Sequence, residues 1–293
     1  PESFKGSSVR KEPFDFPGAI TFAFSISLLL LALATAQKRT WQSSLVGIEF
    51  LSGLVFLTLF IWWERRARFP LLDLKLFRIP AFTLGNAARW ISFITMSINV
   101  LLMPFFIQLG MRVDPLQAGF LVAPTPLAMG LLAPLTGWMS DKFLPERLCS
   151  LGLIINAVAF LSLSFFSAET TSLTVILCLS VLGFGMGLFQ TPNNNLLMSS
   201  LPRQRLGVGS SFLSIVRGLG NAGGAALAAT LVSAQLVAVT GQTSLQNLGG
   251  HLGTEDEALV LAAFLQGYHY TYLTAAVLCL VGAALSAIRV SGR

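Results

Sequence analysis

Eight runs of predominantly apolar residues, each about 20 residues or longer, follow one another along this chain: Phe16–Ala36, Ser44–Trp63, Ala81–Leu109, Leu116–Met139, Leu148–Ala168, Leu173–Met198, Gly207–Val239 and Phe264–Ile288. A hydrocarbon core about 30 Å thick is crossed by about 20 such residues in a helix. A helix is favoured there because it satisfies its own backbone hydrogen bonds where water is absent. The alternating pattern of a membrane β-strand does not occur. The expectation is therefore an all-α integral membrane protein with eight transmembrane helices. Composition agrees: 54% of the residues are hydrophobic and 11% charged, against roughly 25% charged in a soluble domain. So few charges could not cover the surface of a soluble protein of this length, which excludes soluble and disordered classes. The net charge of +6 comes from short basic clusters between the runs, a placement that reflects membrane topology and predicts no nucleic-acid partner.

An even number of crossings puts both ends on one side. Of the lysines and arginines outside the runs, 14 lie on that side and only Lys38, Arg39 and Arg112 lie opposite. Positive residues resist translocation, so the terminal side is expected to be cytoplasmic and the membrane to be an inner, plasma-type membrane. Residues 64–80, ERRARFPLLDLKLFRIP, read either as a segment lying along the cytoplasmic lipid interface or as a solvated loop. The stretch 240–263, with Glu255, Asp256 and Glu257, reads as an external loop. The chain opens on Pro1 with no cleavable signal before the first run, so it is expected to be part of a longer protein.

Polar side chains inside the runs are costly, about 2.5–3.5 kcal/mol for a charge near the bilayer centre on insertion scales. Two arginines sit there. Arg89 follows Ala81 by about 12 Å of helix, within strained reach of the interface, with Asn86 one turn before it. Arg217 lies deeper, and at 100° per residue Ser210, Ser214, Arg217 and Asn221 share a helix face. That stripe is expected to meet protein or water rather than lipid, either as the wall of an aqueous cavity or as a hydrogen-bond anchor. In the sixth run Gly183, Gly187, Gln190 and Asn194 share a face too, and their amides suit a cavity wall or interhelical contact equally. Glu49, near the external end of the second run, is the acid found within a span and a candidate protonation site.

Glycine and proline mark where helices approach closely or bend. The GFGMG run at 183–187 and the pair Gly220 and Gly224 predict close helix contacts, static or rocking. Pro124, Pro126 and Pro134 predict a kinked or locally unwound fourth span. Cys149, Cys178 and Cys279 have neither CxxC spacing nor histidine neighbours and read as packing residues. His251 and His269 are isolated, and GLGNAGG at 218–224 lies inside a membrane run rather than after a soluble strand. No nucleophile–base pair or metal-ligand cluster is apparent in the sequence. The protein is expected to be no enzyme, to need no cofactor and to bind no metal.

Between the fourth and fifth runs, GWMSDKFLPER at 137–147 resembles the cytoplasmic loop motif of the major facilitator superfamily, through Gly137, Asp141, Lys142 and Arg147, although Leu144 stands where that motif has a second glycine. FDFPGAITFAFSISLLLLALA at 14–34, PLLDLKLFRIPAF at 70–82, the stretch 112–143 and the stretch 183–225 are similar to successive parts of its fourteen-span drug:proton antiporter family. The resemblance implies that residues 1–80 hold a cytoplasmic lead-in and two extra central helices, with 81–293 forming the C-terminal six-helix bundle. It also implies that six earlier spans, with the antiporter signature, belong to a missing N-terminal half of the same chain. The implied function is secondary active export of drugs or other amphipathic small molecules driven by the proton gradient. Arg89, Gln190, Asn194, Arg217 and Asn221 would line a substrate cavity, and Gly137, Asp141, Lys142 and Arg147 would serve the conformational cycle. The alternative is a non-transporting membrane scaffold or sensor built on a truncated transporter half.

Overall fold

The computed structural model describes residues 15–38, 43–67, 77–201, 206–240 and 257–291. Among the described residues there are nine α-helices and no strand: α1 Phe16–Lys38, α2 Ser44–Glu64, α3 Pro80–Phe105, α4 Pro115–Val122, α5 Pro124–Lys142, α6 Pro145–Ser164, α7 Ser172–Ser199, α8 Leu206–Thr240 and α9 Glu257–Ser291. A π-helical turn, Phe106–Gly110, extends α3 just past Pro104. Together α4 and α5 make a single crossing, so eight segments are long and apolar enough to span a membrane. The interfacial segment expected within 64–80 and the external loop of 240–263 fall largely outside the described residues.

The helix starts follow from local chemistry. Proline occupies the first turn of α3, α4, α5 and α6, where its missing N–H has no helical partner to lose and its fixed φ is already helical. Accordingly α6 begins at Pro145, before the apolar run opens at Leu148. Asp114 caps α4 by accepting a 3.1 Å hydrogen bond from the Leu116 amide. Asp15 does the same for α1, accepting from the Gly18 amide at 2.9 Å and from the Trp63 indole N–H at 3.0 Å, which ties the start of α1 to the end of α2. The last helix starts at Glu257 rather than Phe264, because 258–263 (ALVLAA) are good helix formers that the preceding acidic cluster masks in a hydropathy window.

Six crossings, α3 to α9 with α4 and α5 counted as one, pack together about α3: it touches α7, α8 and α9, while α6 joins α7 to α9, and α5 lies on α7. The hairpin of α1 and α2 packs mainly on itself, through Phe22 on Phe60, Phe24 on Phe56 and the Ser25 hydroxyl donating to the Gly53 carbonyl at 3.1 Å, and meets α8 through α1. In the α3 crossing 61% of the most apolar window is buried, against 17% in α1 and 11% in the α4–α5 crossing. Burial of that order makes α3 the central helix and leaves α1, α2 and α5 largely exposed on the described chain. The fourth span does break: α4 ends at Val122 and α5 begins at Pro124.

The main core is aromatic where α3, α6 and α9 meet, with Phe106, Phe160, Phe264, Tyr268 and Tyr272 fully buried. The Tyr268 and Tyr272 rings pack tilted by 33° with centres 4.3 Å apart, and the Tyr272 hydroxyl donates to Asn99 Oδ1 at 3.0 Å. Tyr272→Phe leaves that buried acceptor unsatisfied and is expected to lower stability by about 1 kcal/mol. Thermal unfolding checks this, and adding Asn99→Leu is expected to recover part of the loss, since removing both polar partners costs less than removing one. His269 sits on α9, where its Nδ1 lies 2.9 Å from the Ser164 carbonyl at the end of α6. Cys149, Cys178 and Cys279 form no disulfide among the described residues.

Candidate functional site

The polar residues of the bundle gather where α3 runs between α7 and α8. On one side the glycines of α8 let α3 approach: a Cβ on Gly220 would lie 2.7 Å from Phe93 Cβ and 3.0 Å from the Trp90 carbonyl, and one on Gly224 would strike the Ile94 carbonyl. The Ser97 hydroxyl donates to the Asn221 carbonyl at 2.6 Å across the same contact. On the other side α7 meets α3 through Ser92, whose hydroxyl donates to Met186 Sδ at 3.2 Å, and through Asn193, whose amide donates to the Gly85 carbonyl at 3.4 Å. These bonds hold α3 in one rotation about its axis. That rotation buries Asn86, Ser92, Thr95 and Asn99 and carries Arg89 inward with them.

Arg89 is 8% exposed. Its guanidinium lies 5.1 Å from the Phe93 ring centre, and its Nε is shielded from solvent with no hydrogen-bond partner among the described residues. Asn86, one turn earlier, spends its amide on the Phe82 carbonyl at 2.9 Å. Arg217 stands across the α3–α8 contact and acts on Arg89 as a like charge. It is exposed, as are Ser210, Ser214 and Asn221, so the whole predicted stripe of α8 lies on an open face of the described chain. On α7, Gln190 is half-buried and Asn194 exposed. Gly183 and Gly187 of that row press against Thr125, Ala128 and Met129 of α5, so the row packs on α5 and opens toward the C-terminal end of α7. Trp90 and Val100 add exposed apolar surface to α3.

The structure thus brings Arg89 and Arg217 together and places Gln190, Asn194 and Asn221 on flanking helices. It keeps Glu49 apart on α2, half-buried, with Oε2 shielded and lacking a hydrogen-bond partner among the described residues. The loop-motif residues form a separate group. Gly137 has open space where a side chain would project, Lys142 lies with Nζ 4.1 Å from the Trp138 ring centre, and Arg147 is exposed. Asp141 is the next-to-last residue of α5, with its side chain outside the described residues. Leu144 adopts φ −60° and ψ 114°, extended backbone open to any residue, so this turn does not require the glycine found there in the family motif.

Sequence reasoning missed Asn193 and Asn156, both buried, the first on α7 and bonded to α3, the second on α6 against Gly185 of α7. A signal for Asn193 existed, since Met186 and Asn193 stand two helical turns apart on the row that meets α3. Among the described residues no group of three or more His, Cys, Asp or Glu could hold a metal ion.

Eight membrane-length helices, among them a central one that carries buried polar groups, define a polytopic α-helical membrane protein. Residues 13–225 match the Major Facilitator Superfamily. Full-length relatives agree. The chain is 31% identical over 98% of its length to "Uncharacterized transporter YebQ" of Escherichia coli, of which it covers 56%. It is 28% identical over 89% of its length to "Lincomycin resistance protein LmrB" of Listeria monocytogenes, covering 54% of that protein, and 28% identical over 94% of its length to "Riboflavin transporter RibZ" of Clostridioides difficile, covering 56%. The chain spans about half the length of the curated relatives it matches. The crystal structure of a bacterial homolog of the human lysosomal transporter Spinster, inward-facing and occupied, superposes with a TM-score of 0.60 over 94% of this chain and 67% of that one, at 14% identity, a likeness of fold. The chain belongs to the Major Facilitator Superfamily.

Proposed function

We propose that this chain is the C-terminal six-helix bundle, with the extra helical pair α1 and α2, of a fourteen-span secondary transporter that exports amphipathic small molecules in exchange for protons. A missing N-terminal half would face α3, α7 and α8 across the cavity. Arg89, Gln190, Asn194, Arg217 and Asn221 would be this half's contribution to the wall. The observation that carries the reading is the polar stripe of α8: Ser214, Arg217 and Asn221 lie at lipid depth on an open face, where a charge is tolerable only against water or a second bundle. In this reading both ends of the chain are cytoplasmic, membrane lipid surrounds the outer helices, Glu49 is a candidate proton carrier, and the residues from Gly137 to Arg147 make charge contacts that break as the two bundles rock. The names of the lincomycin-resistance and riboflavin relatives support a small-molecule cargo.

The test expresses the full-length protein in cells lacking their own efflux pumps and follows loss of anionic, neutral and cationic amphipathic dyes, with and without a protonophore. Export that stops with the protonophore is expected. Arg217→Ala is expected to lower the initial rate about tenfold or more, equivalent to roughly 1.4 kcal/mol of lost interaction, with membrane insertion unchanged. An unaltered rate would remove Arg217 from the pathway. A stable, inserted wild-type protein that moves no dye would favour the scaffold.

A further inference from the structure

A solute path along α3, α7 and α8 leaves the chemistry of the solute open, and the two arginines narrow it; this step rests on the transport reading above. Arg89 is more than nine-tenths buried, with Nε shielded and unbonded among the described residues. Arg217, of the same sign, stands one turn before Gly220, which meets α3 at Trp90 and Phe93, and so lies on the part of α8 that runs beside Arg89. Among the described residues no carboxylate pairs with either guanidinium: Glu49 and Glu64 lie on α2, outside the six-helix group, and Glu146, in the first turn of α6, has a partner of its own. Two cations held together at membrane depth repel in a medium of low dielectric unless an anion lies between them. Guanidinium groups are planar forks of N–H donors and match the paired oxygens of a carboxylate, sulfonate or phosphate. Arg217 opens that site to the exposed face of α8, so the anion can enter from outside the bundle. Next to Arg89 in the chain, Trp90 is 46% exposed and offers an apolar surface beside the charges.

We propose that Arg89 and Arg217 form an oxyanion site that takes the carboxylate, sulfonate or phosphate group of an amphipathic solute, whose apolar body lies along α3 beside Trp90. Arg89 is the buried, fixed half of the site and Arg217 the accessible half. The cargo class follows: amphipathic anions are held, and amphipathic cations are repelled by both side chains.

The experiment uses the purified full-length protein in phosphatidylcholine nanodiscs and two dyes that share a xanthene body, fluorescein as the anion and rhodamine 123 as the cation, read by fluorescence polarisation. Fluorescein is expected to bind roughly tenfold or more tightly than rhodamine 123, with the gap closing as salt rises. Arg217→Gln, on the exposed face, is expected to remove that preference without weakening rhodamine 123. Arg89→Lys, which keeps the charge and loses the fork, is expected to give an intermediate affinity if Arg89→Gln does not fold. Repeating the titration in phosphatidylglycerol separates the sources: retained fluorescein binding assigns the site to a solute, and displacement assigns the same oxyanion site to a lipid headgroup. Equal affinity for both dyes, or fluorescein binding unmoved by Arg217→Gln, overturns the proposal. Dye export without regard to charge overturns it too, yet leaves the transport reading standing. Anion binding without export of any dye does the reverse.

Discussion

Gly224→Val is expected to separate α3 from α8 and lower the stability of the bundle by about 3 kcal/mol or more, the upper range for forcing atoms into a packed contact. A Cβ there meets backbone rather than a movable side chain: it would strike the Ile94 carbonyl oxygen and stand 2.9 Å from the carbonyl carbon and from Cα. Neither helix can give way without shifting as a whole. The bond from Ser97 to the Asn221 carbonyl would break in the same movement. Gly218 and Gly223 lie on the same helix with nothing within 4 Å of the position a Cβ would take. There, replacement by alanine is expected to be neutral or to stabilise by up to about 1 kcal/mol through helix propensity. Thermal unfolding of the detergent-solubilised full-length protein, with the monodisperse fraction on size exclusion, reads all three. A Gly224→Val protein that melts with the Gly218→Ala protein would refute the α3–α8 contact described above.

The second expected result runs against intuition: Arg89→Met raises thermal stability in the absence of ligand while abolishing discrimination between anionic and cationic dyes. Arg89 carries a buried charge with an unbonded Nε beside a like charge, so its removal relieves both desolvation and repulsion. Replacing buried ions by apolar residues of similar volume has stabilised other proteins by about 1–4 kcal/mol, and methionine keeps the stem that packs on Phe93. The same charge is what a bound anion would use, so stability and binding move in opposite directions. Melting curves taken with and without fluorescein distinguish the two effects. If Arg89→Met melts lower than the wild type, Arg89 is a structural anchor and the strain argument fails.

The spans were legible because twenty apolar residues leave a chain few alternatives, and seven of the eight expected starts lie within a few residues of the observed helices. Their ends were less so where a cap decides: Pro145 starts α6 early, and α9 reaches back to Glu257 because helix propensity there outweighs the nearby acids. The break in the fourth span was readable from Pro124 alone. Periodicity put Ser210, Ser214, Arg217 and Asn221 on one face, yet whether a face is covered depends on neighbours that periodicity does not contain. The same holds for glycines. Gly183 and Gly187 announce a close helix, but that it is α5, while Gly185 between them admits Gly152 and Asn156 of α6, follows only from the packing. Asn193 escaped notice for a related reason: in the run PNNN at 192–195 three amides point three ways, and only the one on the Met186 row reaches α3.

The interruption at Ala123 has a mechanical side. The Thr125 hydroxyl is fastened to the Leu179 carbonyl at 3.2 Å, and Gly183 keeps no side chain between that point and α7. Two levers of unequal length, the eight residues of α4 and the nineteen of α5, therefore meet at a riveted fulcrum. The longer lever is clamped along α7, whereas the shorter touches few neighbours, so any swing of this crossing is confined to the α4 third and reaches the Lys142 end only by dragging α7 with it.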